Sequence, residues 1–412
     1  MSINTFDLSS LVAPRAVAIL ASMNSLVRLG NRGNSQMFVA KDYAPGDTIN
    51  LREDNFFVGS RGDTVTAEDI VESTVPLTIQ PLFNVTVNYK SSDLQRDIVS
   101  FTSEIIEPAV RRLSTMINDS IYNAALTQLA HYTGDITAPL NTFQSVSGIN
   151  PVMTTLDMNK YGRNLAIDPY NFNQLVGSSD LRNSFLPSLN EKITIDATLG
   201  RLAGFEIFQD TSIAPMVTGT HDAAGAVTVT TLVTSGSLIT LGGFNPGATF
   251  VAGDLFTVLG SYEWAAVSQR QITQQKQLVV TAPAVADITG AVTLSVFPAI
   301  ITTGPKTNVF TPGTSPNQIP AGAVVLFETN FTSGYLNQLA FTDRGLQLAL
   351  PPMLPLHTAT SFVSTDPATG ISLTVSQQAD IYANVNTLRI SGQMGVTWLQ
   401  NQCVRVLTNT GA

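Results

Sequence analysis

One cysteine, three histidines and few charges leave this chain little with which to do chemistry. Cys403 stands alone among 412 residues, so neither an intrachain disulfide nor a cysteine metal cage can form. His131, His221 and His357 lie far apart. None has a flanking motif that would hold an imidazole between a nucleophile and a carboxylate. Each is therefore expected to be structural, with His131 ending a helix as a cation that complements the dipole. There is no HxH or HxxxH pair, no calcium-loop spacing of aspartates, no GxxxxGK[ST] and no GxGxxG. Asp42, Asp47, Glu53, Asp54 and Asp63 scatter through a loop region and read as a solvated or interface charge cluster. No catalytic residue, cofactor or metal is expected.

Charge is scarce as well. Charged side chains make up 12% of the residues, against about 25% in an average soluble domain. The balance of 21 basic and 30 acidic residues gives a net charge of −9, which argues against a nucleic-acid binder that grips phosphates. It is compatible with a container that encloses DNA without adhering to it. A weakly charged surface suits a protein that buries area against copies of itself, although a secreted β-protein rich in Thr, Ser and Asn would share this composition. No apolar run reaches the length of a membrane-spanning helix, and Met1–Asp7 lacks a basic n-region followed by an apolar core. A cytosol-like compartment without membrane association is therefore expected. Arg61-Gly62-Asp63 and the three Asn-x-Ser/Thr sites at Asn84, Asn118 and Asn330 are short enough to occur by chance.

What the chain does have is one long amphipathic helix, expected from about Asp97 to His131. Phe101, Ile105, Ala109, Leu113, Ile117, Ile121, Ala125 and Leu129 recur every fourth residue, flanked by Ile106, Val110 and Met116. Such a stripe is wide enough to seat the helix across a sheet or another helix. At about 1.5 Å per residue it would span roughly 50 Å, the proportions of a spine. Glu107 and Arg111 form an i,i+4 pair with the acid first. Pro108 predicts a kink, or a fresh helix start near Glu107. Gly134 closes the segment.

The remaining chain reads as strands and turns around this helix. Residues 1–30 form an amphipathic arm, with Leu11, Val12, Ala16, Ile19, Leu20, Met23, Leu26 and Val27 at helical spacing, ended by Gly30 and Gly33. A run from Gln36 to Ala40, the turn Ala44-Pro45-Gly46-Asp47 and a run from Thr48 to Leu51 predict a hairpin. Residues 70–90 predict a strand pair with Phe83, Val85, Val87 and Tyr89 on one face. Helical stretches are expected at Tyr170–Val176 and Ser179–Phe185, and a strand at Gly204–Phe208. From Thr218 to Gln318 the charged residues thin to Asp222, Asp254, Glu263, Arg270, Lys276, Asp287 and Lys306. Short β-prone runs at Val227–Val233, Leu255–Leu259, Lys276–Thr281 and Ala291–Phe297 predict a small sandwich or barrel, with Pro305, Pro312, Pro316 and Pro320 at its exit. Flanking sequence of a different character makes this block an insertion. Strands are expected beyond it at Gln338–Leu350, Ile371–Ser376, Thr387–Gly392 and Cys403–Leu407.

Several stretches together carry a resemblance. They are Glu68-Asp69-Ile70-Val71-Glu72-Ser73-Thr74-Val75-Pro76-Leu77-Thr78-Ile79, Phe83–Leu94 and Phe101-Thr102-Ser103-Glu104-Ile105-Ile106-Glu107-Pro108-Ala109-Val110. Further on come Ala252–Val258, Leu339–Thr342, and the pair Leu388–Ile390 and Val404–Val406. Their order resembles the major coat proteins of tailed phages in the P22-like coat family. Ser391 departs from it, where the family often has an acidic residue. The first 60 residues match nothing in it.

The resemblance implies an α+β chain with the HK97-like capsid fold and an inserted all-β domain. Its expected parts are an N-terminal arm (1–35), an E-loop with flanking strands (36–94) and a P-domain carrying the spine helix (95–150). An A-domain with returning P-domain strands (151–215 and 322–412) and a β-rich insertion (216–321) complete it. The implied function is a major capsid protein, located in the virion capsid and assembled in the host cytoplasm. It would self-assemble into hexamers and pentamers of an icosahedral shell around packaged double-stranded DNA, without sequence-specific binding. Because no long charged helical leader precedes the hairpin, a separate scaffolding protein is expected, with a portal as a further partner. Arg52, Glu53, Asp54, Arg61 and Asp63 put mixed charge where the hairpin would meet a neighbouring subunit. Another phage structural or surface β-protein (a tail, fibre or surface-layer component) is the alternative, and an enzyme comes third.

Overall fold

The every-fourth-residue stripe of the long helix is buried from Ala109 to Leu129. In the computed structural model Ile106, Ala109, Val110, Leu113, Ile117, Ile121, Ala125 and Leu129 are all closed to solvent. The α-helix runs Glu107–Gln128 and is preceded by a π-helical turn, Thr102–Ile106. Proline at the second position loses no intrahelical bond, because the first turn's N–H groups have no helical partner. The proline thus marks a start rather than a kink. Arg111 Nη2 meets Glu107 Oε1 at 2.6 Å on the solvent side. The helix ends three residues before His131, and Gly134 does not terminate it. Gly134 belongs instead to the strand Tyr132–Gly134, which pairs in parallel with Cys403–Thr408. Its φ is +102°, and a Cβ there would overlap the carbonyl oxygen of Leu407.

The structure describes residues 8–23, 25–31, 33, 46–59, 62–63, 67, 69–70, 72–90, 102–178, 181, 199–314, 317–328, 334–353, 359–366, 370–380 and 385–410. The expected run Gln36–Ala40, His357 and nearly all of Ser179–Phe185 lie outside them. The chain divides into two units. Met1–Leu51, Val75–Tyr122 and Leu346–Thr397 form one, and Arg52–Thr74, Asn123–Gly345 and Trp398–Ala412 form the other.

The first unit is built on a four-stranded antiparallel sheet, in the order Thr360–Thr365, Ser372–Asp380, Val385–Gly392, Phe83–Tyr89. Phe83, Val85, Val87 and Tyr89 do share its less exposed face. The helix Leu8–Met23 lies against the first two strands, burying Val12, Ala16, Val17 and Leu20. The expected arm is therefore docked through its apolar face.

Two pairings were not legible in the sequence. Thr48–Arg52 pairs with Thr74–Thr78 across twenty-odd residues, while the run Gln36–Ala40 expected beside it lies outside the described residues. The two strands within 70–90 do not pair with each other: Thr74–Thr78 takes Thr48–Arg52, and Phe83–Tyr89 takes Val385–Gly392. Alternation reports which face is buried but does not name the partner strand.

The second unit contains a mixed six-stranded sheet in the order Tyr132–Gly134, Cys403–Thr408, Leu336–Thr342, Arg163–Ile167, Phe205–Gln209, Arg201–Leu202. Its central strands are buried at every position, as expected for a sheet covered on both faces. Asp168 caps the helix Pro169–Val176 by accepting from Tyr170 N (2.9 Å) and Asn171 N (3.3 Å), with proline at the first helical position. The single strand expected over Gln338–Leu350 is broken at Asp343-Arg344-Gly345 into Leu336–Thr342 and Leu346–Ala349. Nor do the strands holding Leu388–Ile390 and Val404–Val406 pair together. The first sits beside Ser372–Asp380 and the second beside Leu336–Thr342.

Residues 223–327 of the same unit roll into a closed barrel. Ala223–Val229, Ser235–Phe244, Val292–Ile301, Arg270–Val280, Leu255–Ala265 and Val325–Phe327 follow one another around it. Thr228 bridges back to Val324, and Val229 N donates to Ala323 O at 2.9 Å. Closure leaves no open edge for stray strand pairing. Alternating inward side chains, among them Leu241, Phe256, Leu278 and Leu294, fill the interior. The strand Ser235–Phe244 was not legible in the sequence, because Gly236, Gly242 and Gly243 interrupt its apolar alternation. Gly243 must lack a side chain, since at φ +104° a Cβ would press on the carbonyl of Ala226.

Candidate subunit interface

The hairpin begins as a ladder and opens into a loop. Ile79 N donates to Asp47 O (3.0 Å) and Glu53 N to Ser73 O (3.0 Å), so the strands run antiparallel and the pairing ends at Glu53 and Ser73. Arg52 faces Glu72 at 3.6 Å, with 78% and 53% of the two side chains exposed. A pair so solvated contributes about 0–1 kcal/mol, so these charges do little for the fold of the subunit. Asp54 and Asp63 are exposed, Glu53 is half-buried, and Arg61 lies outside the described residues. Among the described residues of the predicted interface set, Arg52, Glu53, Asp54 and Asp63, no ion pair joins one to another.

Apolar side chains on that loop escaped the sequence reading. Phe57, Val58 and Ile70 are 53%, 55% and 65% exposed. Exposed apolar groups of this size are the kind of surface that a protein partner can cover. The available signal was Phe56-Phe57-Val58 inside a stretch otherwise made of charged, glycine and asparagine residues.

The scarce charges of the barrel have the opposite character, since several are buried and bonded. Lys276, fully closed to solvent, donates to Glu263 Oε2 at 2.9 Å and to Asn308 O at 2.9 Å. Glu263 Oε1 accepts from Gln277 N at 3.0 Å and lies 3.9 Å from His131 Nδ1. Burial, countered by Glu263 and reinforced by Lys276, holds His131 down at about 4. The imidazole is therefore neutral at physiological pH, and the expected dipole-complementing cation is absent. Next to it, burial and then the Glu328 carboxylate push the Tyr132 phenol above its usual range, and its hydroxyl donates to Glu328 Oε1 at 2.6 Å.

His221 is the second structural histidine. Its Nε2 lies 2.7 Å from Asp254 Oδ2, its ring packs beside those of Phe250 and Phe327, and both side chains of the pair are sealed from solvent. No substrate reaches such a pair. Arg405 completes the buried set. Its guanidinium donates to Asn337 Oδ1 (2.7 and 2.9 Å), Leu126 O (3.2 Å) and Gly253 O (3.2 Å). Burial lowers its pKa, opposed mainly by Tyr335 and Asp254. These contacts join the end of the long helix, the six-stranded sheet and the root of the barrel through satisfied polar groups. Among the described residues no group of three or more His, Cys, Asp or Glu side chains could hold a metal, and no helix is long and apolar enough to cross a membrane.

Comparison with known proteins gives one family. Residues 60–236 match the model of the P22 coat protein, gene protein 5. The match covers the later part of the loop, the long helix and the first strand of the barrel. No curated protein matches the chain. Among solved structures, the chain is similar to one from Mycobacterium phage Che8, at 10% identity, over 92% of this chain and 89% of that one, with a TM-score of 0.45. The mature capsid of bacteriophage PhiM1 gives 10% identity over 89% and 83%, TM-score 0.43. The capsid of Ralstonia phage GP4 gives 8% identity over 89% and 84%, TM-score 0.43.

Proposed function

We infer, from residues 60–236 belonging to the P22 coat protein family, that the chain is a tailed-phage major capsid protein, a structural subunit of the virion shell rather than an enzyme. The family match is the observation that carries this reading. Its physical counterpart is a loop bearing exposed apolar groups at the end of a hairpin whose solvated Arg52–Glu72 pair does little for the subunit itself. A closed shell needs many contacts, each weak enough to correct errors and strong in sum. A projecting loop supplies such area without enlarging the core.

In this reading the subunits form hexamers and pentamers, and Arg52, Glu53, Asp54, Arg61 and Asp63 meet a neighbouring subunit. The barrel, residues 223–327, is the inserted domain of an HK97-like subunit; its closing strand Val325–Phe327 runs past the expected limit at 321, and the other domain limits are those given above. Assembly takes place in the host cytoplasm around a separate scaffolding protein, with a portal at one vertex. The finished shell encloses double-stranded DNA without reading its sequence, and the net charge of −9 suits a container that must not bind its contents tightly.

The test is expression of the chain with a candidate scaffolding protein, followed by gradient sedimentation and electron microscopy. Closed shells with hexameric and pentameric capsomers are expected. A discrete monomer or small oligomer under those conditions would overturn the reading, and shells of uniform size from the chain alone would remove the scaffold from it.

A further inference from the structure

The loop that leaves the barrel strand Val292–Ile301 is rigidly built. Gly304, at φ +87°, turns the chain, and Thr307 donates to Gly304 O through both its N–H (3.1 Å) and its hydroxyl (2.7 Å). Asn308 closes the loop from both sides. Its N–H donates to Ile301 O (3.0 Å), its Oδ1 accepts from Ile301 N (2.9 Å) and its Nδ2 donates to Ala299 O (2.7 Å). The carbonyl of Asn308 accepts from buried Lys276 (2.9 Å), and Pro305 O accepts from Gln269 Nε2 (3.0 Å). Lys306 projects from a frame tied to the barrel interior.

The Lys306 ammonium donates to Ser73 Oγ, and the Ser73 hydroxyl donates in turn to Glu53 Oε2. All three side chains are half-buried. A serine hydroxyl has one proton to give and lone pairs to accept with, so it can relay a cation to a carboxylate it touches on its other side. Both links are charge-assisted and stronger than neutral hydrogen bonds. The two residues they seize, Glu53 and Ser73, are the pair at which the hairpin ladder stops and the loop begins. The relay joins positions 233 residues apart in sequence.

We propose that Lys306 is a positioning residue, which latches the root of the 53–73 loop to the barrel and so sets the direction in which the loop leaves the subunit. The consequence for assembly rests on the capsid reading. A loop held in its binding direction before contact loses less freedom on docking. The inserted barrel then has a role within its own subunit, as the fixed point from which the loop is aimed.

Hydrogen exchange of the full, unassembled chain tests the latch directly. Lys306→Met removes the ammonium while keeping the length of the side chain. Exchange of the Glu53 amide, which is bonded to Ser73 O, is expected to rise by on the order of tenfold in this variant. Amides of the barrel should be unchanged. Ser73→Ala should reproduce the effect, and Lys306→Arg should restore most of the protection. Shells formed by Lys306→Met with scaffold should be fewer or irregular in size. Unchanged exchange at the loop root in both Lys306→Met and Ser73→Ala would overturn the latch, and normal shells from a loosened loop would overturn its role in assembly. A wild-type chain that forms no shells would defeat the capsid reading and leave the exchange result standing.

Discussion

Arg405 donates to the carbonyl oxygen of Leu126 at 3.2 Å, from a side chain with no exposed surface. Leu126 lies in the last turn of the long helix, where carbonyls have no helical partner. A guanidinium 279 residues away in sequence thus caps the spine. Replacing it with methionine would strip donors from Leu126 O, Gly253 O and Asn337 Oδ1 together, at about 1–3 kcal/mol for a buried group left unpaired. Arg405→Met is expected to lower stability by at least about 3 kcal/mol, read as a shift in the urea midpoint. Arg405→Lys should recover only part of this, because an ammonium cannot reproduce the planar fork.

His131 makes the subunit sensitive to acid. Its folded pKa is about 4 against an ordinary 6.5, so between these values the unfolded chain binds a proton that the folded chain refuses. Stability is therefore unaffected by this group above pH 6.5, falls as pH drops from 6.5 to 4, and changes no further below. The loss amounts to on the order of 3 kcal/mol. Denaturation midpoints measured across that range should fall less steeply for His131→Gln than for the natural chain. Parallel curves would show that other groups govern the acid response.

The Lys276–Glu263 pair should behave as a buried ion pair does when halved. Lys276→Met alone strands a carboxylate that is 3% exposed, with an expected cost of about 3–5 kcal/mol. Adding Glu263→Gln removes the stranded charge while retaining an acceptor for Gln277 N. The double variant is expected to be more stable than Lys276→Met alone. A double-mutant cycle measures the coupling, and strict additivity would contradict the pairing.

At the loop, charge and apolar contact separate assembly from folding. Arg52→Glu combined with Arg61→Glu is expected to abolish or severely reduce shell formation. The thermal midpoint of the monomer should stay within about a degree or two, because exposed charges contribute little to the fold. Phe57→Ser should act in the same direction, since its ring is 53% exposed in the isolated subunit. Normal shells from both variants would remove the loop from the interface.

Much of this architecture can be read along the chain. The four-residue recurrence from Ile105 to Leu129 marked the helix and its buried face, and Pro108 marked its start, because both depend on contacts within a few residues. The loss of charge after Thr218 marked the start of the barrel region, since a small closed barrel alternates apolar and neutral residues. Partner choice was not readable. Thr48–Arg52 pairs with a strand more than twenty residues later, a partner that no local spacing named. Neighbouring turn chemistry says little about a ladder closed across a long loop.

Sequence by itself determined the spine helix, the β-rich block and the family pattern of residues 60–236. These follow from residue type and local spacing, which the chain carries wherever it folds. Only the tertiary structure decided what the few charges do. Lys276, Glu263, Asp254 and Arg405 are buried, Lys306 is tied to Ser73, and Arg52 is left in solvent. Charged side chains serve all these ends. The role of each depends on how much water remains around it and which distant group arrives beside it, and both are set only when the chain has closed on itself.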